Sequence, residues 1–229
     1  MTVQLTEETF ETLLSRLPAQ LIGHSDGPDT SFQAGGRRQA FQNDISDAID
    51  LRNTIFIDPY GMVGLLEIGE FLQSKGIRQT IYLPESEEVI KYLERMDFFR
   101  YAERYFLLKP KHLNLPDKYS RSAFSDVLLE ITAVERSDDI HVIVGKVKER
   151  ANKILKEHLR YDDRTIDGFI VALSELCQNI IEHSENRGFV GIQKYHFQNM
   201  EKNVVKIAVM DLGIGFRNSL KARFKTKDD

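Results

Sequence analysis

Three polar side chains recur at every fourth position in the otherwise apolar stretch LSELCQNIIEHS, which runs from Leu173 to Ser184. They are Glu175, Asn179 and His183. Residues four apart lie on one face of an α-helix, about one turn from each other, so the carboxylate and the amide can reach the same ligand. Any one of these residues alone is also typical of the solvent-facing side of an amphipathic helix, and this simpler interpretation stays open.

A second segment with chemical potential is AVMDLGIGF, in which an apolar strand pattern ends at Asp211 and is followed by Gly213 and Gly215. Glycine adopts backbone conformations that other residues avoid, and it lets a ligand approach the main chain closely. A carboxylate at a strand end can accept a hydrogen bond from an exocyclic amine, which distinguishes adenine from guanine. The segment is therefore a candidate for contact with a nucleotide base.

The two segments, taken in order, resemble the N box and first glycine box of the GHKL ATPase superfamily, which includes gyrase, histidine kinases and the anti-sigma-factor serine kinases. The resemblance rests on E-x-x-x-N from Glu175 to Asn179 and, two strands later, D-x-G-x-G from Asp211 to Gly215. It covers residues 125–216 and looks closest to the anti-sigma-factor kinases, because the helix pattern extends to E-x-x-x-N-x-x-x-H. The final histidine either lies at the nucleotide or packs against the sheet.

The resemblance implies a role for each matching residue, with ATP and Mg²⁺ as cofactors. Asn179 would coordinate the Mg²⁺ that bridges the nucleotide phosphates, and Glu175 would be the general base that activates water or a hydroxyl nucleophile. Asp211 would bind the adenine amino group, with Gly213 and Gly215 shaping the pocket around the base. The implied activity is ATP hydrolysis or phosphorylation of a protein serine or threonine.

The apolar residues of the same helix predict its buried side. On a helical wheel, Phe169, Leu176 and Ile180 fall within about 60° of Leu173, opposite the carboxylate and the amide. We therefore expect these four side chains to face a core. Cys177 lies near that side and is interpreted as a small buried hydrophobic residue.

The surrounding patterns predict a helix/sheet sandwich in this half of the chain. They comprise a strand, two helices and a hairpin of two strands, at residues 125–135, 139–159, 164–184, 188–197 and 203–211. The polar turn QNMEK joins the last two strands. Alternating apolar residues around such a turn are typical of an antiparallel hairpin.

The first half has a β-α-β-α pattern, predicted as strand 53–58, helix 61–76, strand 77–84 and helix 86–99. Gly76 ends the first helix and Ser86 caps the second. This order implies a parallel sheet with a crossover helix on one face.

This half resembles a STAS domain, the fold of the anti-sigma-factor antagonists. The turn FIDPYG matches that family's F-I-D-S-S-G in its aspartate and glycine, but Pro59 and Tyr60 replace the serines. Because proline has no hydroxyl group, the usual phosphorylation switch is excluded at that position. Tyr60 is interpreted either as a substitute acceptor or as a packed turn aromatic.

The rest of the chain sets the predicted boundaries. Residues 5–17 have the pattern of a short helix with Thr6 as its cap, and the Gly-, Asp- and Ser-rich residues after it are typical of a linker. KPKHLNLPDKYS, at 109–120, is interpreted as an interdomain boundary. The predicted division is therefore an N-terminal helix and linker at 1–45, a STAS-like domain at 46–115 and a GHKL ATPase-like domain at 120–229.

Composition narrows the classes of partner. The chain has 229 residues, 31 basic and 35 acidic, and a formal net charge of −4. This charge gives no general attraction to nucleic acid or to an anionic membrane, and no apolar run approaches the roughly 20 residues of a membrane helix. The single cysteine rules out an intramolecular disulfide, and a cytoplasmic location is expected.

The α/β chain is therefore predicted to be an ATP-binding regulatory protein, with ATP or ADP and a protein partner as ligands and a homodimer suggested by analogy. Only RNSLKARFKTKDD follows Phe216, whereas members of the superfamily carry a lid and a second glycine-rich segment after the first glycine box. We expect either a piece of a longer protein or a shortened relative. The alternative function is a non-catalytic protein-interaction module with a degenerate nucleotide pocket.

Overall fold

The chain forms a mixed α/β structure, seen in a computed structural model that describes residues 3–6, 9–10, 48–110, 127–151, 154–156, 160–183, 187–197 and 202–211. The strands are β1 (Val3–Leu5), β2 (Ala48–Asp50), β3 (Thr54–Ile57), β4 (Thr80–Tyr82), β5 (Leu107–Lys109), β6 (Val127–Val134), β7 (Gly188–Phe197) and β8 (Lys202–Asp211). The helices are α1 (Pro59–Ser74), α2 (Glu87–Arg95), α3 (Phe98–Tyr105), α4 (Ser137–Ala151) and α5 (Asp163–His183).

The strands in the described ranges form three sheets. β1 pairs with β3, and β4 lies between β2 and β5; all three of these pairings are parallel. β6, β7 and β8 form an antiparallel sheet with β7 in the centre. The β7–β8 hairpin confirms the predicted one, and its register runs without interruption from Gly188 opposite Asp211 to Phe197 opposite Lys202.

Helix α1 is buried on almost every side. Its amino end is capped by Asp58, whose Oδ1 accepts the Gly61 N–H at 2.9 Å, and Pro59 supplies a first-turn residue that needs no hydrogen-bond acceptor. Eleven of its sixteen residues are buried, because the helix is apolar all round. It ends at Ser74, and the left-handed Gly76 closes its carboxyl end, as predicted.

α1 joins the two halves of the chain in one core. It packs on β7 and β8 of the antiparallel sheet and on α3. Phe189 and Ala208 of that sheet, together with Ile131 of β6, belong to the same buried cluster as the apolar residues of the first half. The division at 46–115 and 120–229 stays a prediction, but the described parts of the two halves share buried contacts.

The opposite face of the antiparallel sheet is covered by α4 and α5. Successive residues of a strand point to opposite faces, so Phe189 faces α1 while Val190 and Ile192 face the second helical layer. The second core contains Ile143 and Val147 of α4 together with apolar residues of α5. The sheet is therefore sandwiched between α1 on one side and two helices on the other.

Four predictions for the first half need correction. Leu5, predicted to be helical, lies in β1. Among the described residues, β3 and β4 belong to different sheets, so they are not neighbours around a simple crossover. The predicted helix 86–99 is broken into α2 and α3 at Asp97, which has a left-handed φ of 57°. The three-residue β5 ends at Lys109, so the first residue of the predicted boundary segment belongs to a strand.

No helix in the described parts of the chain is long and apolar enough to cross a bilayer.

Candidate nucleotide site

The helix that carries Glu175 and Asn179 is α5. Before its first turn, the Asp162 Oδ1 accepts the Thr165 N–H at 2.6 Å, and hydrogen bonds from Thr165 lower the pKa of Asp162. Lys156 forms an ion pair with Asp163 at 2.6 Å at the same end. The capping residue therefore fixes where the helix begins and thus which of its faces meets the sheet.

Glu175 and Asn179 lie on the exposed side of α5, as predicted. Leu173, Cys177 and Ile180 are 2% exposed or less and pack in the second core. Leu176, predicted to face that core, is instead 43% exposed. Its position at the edge of the apolar arc explains the error, since a small rotation of the helix brings Cys177 inward in its place.

Asp211 is the last residue of β8 and is exposed. By strand alternation it is on the same face of the sheet as Val205 and Val209, which pack against the core that contains α5. By this alternation the side chain belongs to the α5 side of the sheet, but it lies at the edge where the strand ends, and its charge also reaches Glu67 of α1 on the other side.

The carboxyl-terminal half of α5 lies at this same edge. Gly188 is opposite Asp211 in the register, and a Cβ built on Gly188 would approach the Ile180 side chain to 2.9 Å. Only glycine allows this close approach of helix and strand. The structure thus brings the helix segment that contains Asn179 to the end of β8, with Glu175 about one turn further from that end.

For three of the predicted site residues the structure gives no contacts that bear on the prediction. Gly213 and Gly215 lie outside the described residues, and His183 is described only as the last residue of α5. Gln178 donates to Glu182 on the exposed side of the same helix.

The implied Mg²⁺ requires oxygen donors from the chain. Carboxylate and amide oxygens at one-turn spacing are hard donors of the kind Mg²⁺ takes, usually one or two from protein with the rest from water and phosphate. Glu175 and Asn179 meet this requirement and are open to solvent. Within the described ranges, no group of three or more His, Cys, Asp or Glu side chains could enclose a metal ion on its own.

A partly buried acidic cluster, which the sequence did not predict, lies on the α1 side of the sheet near the same edge. Arg187, just before β7, forms ion pairs with Glu70 at 3.3 Å and with Glu135 at 2.7 Å. The Tyr105 hydroxyl donates to Glu70 at 3.1 Å. Burial raises the pKa of Glu70.

Glu67 is the most buried carboxyl of this cluster, with 5% exposure. Burial is the main cause that raises its pKa to about 9, and the negative charges of Glu70 and Asp211 add to it. A signal for it was available: a single glutamate inside GMVGLLEIG, a helix that is apolar on all sides, has no exposed face to occupy.

A cleft of about 450 Å³ lies at the opposite end of the sheet from Asp211. β3, α2 and β7 form its walls, which include Phe56, Tyr92, Arg95 and Tyr195. The hydroxyl groups of Tyr92 and Tyr195 are 2.8 Å apart, and burial raises the pKa of both. The cleft is of ligand size, but none of the residues predicted for the nucleotide site lines it.

In comparisons with known proteins, no family model, no curated protein and no solved structure matches the chain.

Proposed function

We propose that the chain is an ATP-binding regulatory protein, with a histidine-kinase-like nucleotide site in its second half and a STAS-like first half. The observation that carries the proposal is the approach of α5 to the end of β8. This approach supports the proposal because Ile180, the residue after Asn179, lies against Gly188, which pairs with Asp211, while Glu175 is on the exposed face of the same helix.

In this proposal the three polar side chains divide the nucleotide between them. Asp211 accepts a hydrogen bond from the adenine amino group, which gives selectivity over guanine. Asn179 contributes an oxygen ligand to Mg²⁺, which neutralises the charge of the phosphates. Glu175 is the general base for hydrolysis or for transfer to a serine or threonine hydroxyl, and its solvent-open position leaves room for that nucleophile.

Calorimetric titration with Mg·ATP tests the site. We expect wild-type protein to bind, and we expect Asn179→Ala and Asp211→Asn each to weaken binding by at least tenfold, or about 1.4 kcal/mol. Asp167→Asn is the matched control, since it removes an exposed carboxylate from the first half of the same helix. Equal affinity in all four proteins would refute the assignment of the site.

Titration with Mg·GTP in place of Mg·ATP is the second part of the same experiment. The wild-type protein should prefer ATP, and Asp211→Asn should lose this preference, because an amide can both donate and accept a hydrogen bond. An unchanged preference would place the base-reading group elsewhere.

A second candidate is a non-catalytic interaction module, and the FIDPYG turn favours it. Asp58 and Pro59 are buried, and the Asp58 carboxylate binds Lys206 of β8 at 2.8 Å. A turn held in this way cannot serve as an exposed phosphoacceptor. Phosphotransfer from radiolabelled ATP would exclude this candidate if the label appeared with wild-type protein and disappeared with Glu175→Ala.

A further inference from the structure

Glu67 occupies the contact between α1 and the antiparallel sheet. Its carboxyl group is close enough to β7 and β8 for the Phe189 N–H and the Asp211 carboxylate to influence it. Neither carboxyl oxygen has a hydrogen-bond partner among the described residues, and the Phe189 N–H does not meet hydrogen-bond geometry. An ionised carboxylate in this position would lack both water and a partner, which is strongly unfavourable.

The contact between α1 and the sheet has an ion pair at each of its ends. At the start of α1, the buried Asp58 binds Lys206 of β8. Beyond the middle of the helix, Glu70 binds Arg187, the residue just before β7. Glu67 lies between these two ion pairs. It is therefore the position in the contact between α1 and the β7–β8 hairpin where no partner compensates the charge of an acidic group.

The neighbouring charges do not supply that compensation. Glu70 follows on the same helix, and Asp211 contributes negative charge from β8. Arg187 is the nearby cation, but its guanidinium already binds Glu70 and Glu135. On α3, the Tyr105 hydroxyl donates its hydrogen bond to Glu70 and not to Glu67.

We propose that the joint between α1 and the β7–β8 hairpin is proton-dependent: it is closed while the Glu67 carboxyl is neutral and loosens when that group ionises. On ionisation the O–H bond breaks and the proton passes to water. The carboxylate then requires hydration, which only separation of α1 from the sheet can provide. This inference does not depend on nucleotide binding.

The pKa of Glu67 sets the direction of the effect. Its folded-state pKa of about 9 lies above the ordinary value of 4.5, so the folded protein retains a proton that the unfolded chain releases. The free energy of unfolding therefore falls as the pH rises from about 4.5 to about 9. Raising the pH across this window therefore weakens the joint, which loosens as Glu67 ionises near pH 9.

Chemical unfolding between pH 6 and 9 tests the linkage. The unfolding equilibrium constant of the wild type, divided by that of Glu67→Gln, should rise about tenfold per pH unit, because one proton is released. Glu149→Gln, which removes an exposed carboxyl from α4, is the control and should follow the wild type. A constant ratio for Glu67→Gln would overturn the proposal.

Two further measurements keep the test decisive. Glu67→Met provides a neutral side chain without polar atoms if the buried amide of the glutamine variant prevents folding. Titration of the wild-type glutamate carboxyl carbons by NMR should show one group with a midpoint near pH 9, which must be missing in Glu67→Met. Midpoints all below pH 6 would overturn the proposal without any variant.

Hydrogen exchange distinguishes a loosened joint from general destabilisation. At pH 9.5, after correction for intrinsic exchange rates, the β7 and β8 amides and the α1 amides should lose protection before those of α4. Glu67→Met should retain that protection. Equal loss in every element would contradict a joint, since it would indicate unfolding of the whole chain.

Discussion

The Asp58 carboxylate has two functions at the start of α1. One oxygen accepts the Gly61 N–H and caps the helix, and the other binds Lys206 of β8. The Asp58 side chain is 1% exposed and Lys206 is 37% exposed, so the cap is buried and the ion pair is partly buried. Substitutions can separate the two functions, because asparagine caps a helix as well as aspartate does but carries no charge.

We expect Asp58→Asn to lower the free energy of unfolding by about 1 to 3 kcal/mol, through loss of the partly buried ion pair. Asp58→Ala should cost about 1 kcal/mol more, since the cap is lost as well. Urea unfolding of both variants measures the difference. Equal effects would mean that the cap contributes nothing.

Cys177 should be unreactive in the folded protein. Burial raises the pKa of its thiol to about 11, so the reactive thiolate is scarce at pH 8, and the side chain has no exposed surface. An aromatic disulfide reagent should label it only after urea is added. Rapid labelling of the native protein would show that α5 leaves the sheet readily.

At the scale of single residues, the sequence predicted exposure better than it predicted neighbours. The solvent-facing position of Glu175 and Asn179 and the burial of Cys177 follow from helical periodicity alone. Glu67 was missed because the strands that enclose it, β7 and β8, are far away in the sequence; its local sign was a glutamate inside a helix that is apolar on all sides. The roles assigned to Gly213 and Gly215 stay predictions.

Among the secondary-structure elements, the packing of α5 on the sheet depends on one small residue. A Cβ at Gly188 would come within 2.5 Å of the Met210 carbonyl oxygen, in addition to its approach to Ile180. We expect Gly188→Ala to destabilise the protein by about 1 to 3 kcal/mol, because the backbone must move to relieve the overlap. The substitution should also lower the affinity for any ligand that binds between α5 and Asp211.

Gly145→Ala is the matched control for this substitution. Gly145 lies inside α4 with no atom within 4 Å of an added Cβ. The change should stabilise the protein by about 0.5 to 1 kcal/mol, since alanine favours the helix. Thermal or urea unfolding should therefore shift in opposite directions for the two variants, and a shift in the same direction would contradict the packing argument.

Element length explains which elements could be predicted. The hairpin strands β7 and β8 have ten residues each with clear alternation, and their predicted ends agree with the structure almost residue for residue. β2 and β5 have three residues each, too few for any period to be visible. The break at Asp97 escaped prediction because aspartate is only an occasional left-handed residue.

For the molecule as a whole, the shared core predicts that the halves depend on each other. A fragment of residues 120–229 would expose Phe189, Ala208 and Ile131, which the full chain buries against the first half. We expect this fragment to lack a cooperative unfolding transition and a native near-ultraviolet circular dichroism spectrum. The full chain is the control, and a cooperative fragment with the same midpoint would contradict mutual dependence.

The burial of α1 on all sides also affects synthesis of the protein. Translation completes α1 at Ser74, but the hairpin that covers it is not available until β8 ends at Asp211. The nascent chain therefore carries an apolar helix with one face uncovered while the ribosome adds the residues between these two positions. During that interval the exposed apolar face of α1 is a surface that a chaperone can bind. Slow translation between Ser74 and Asp211 would favour aggregation of the nascent chain.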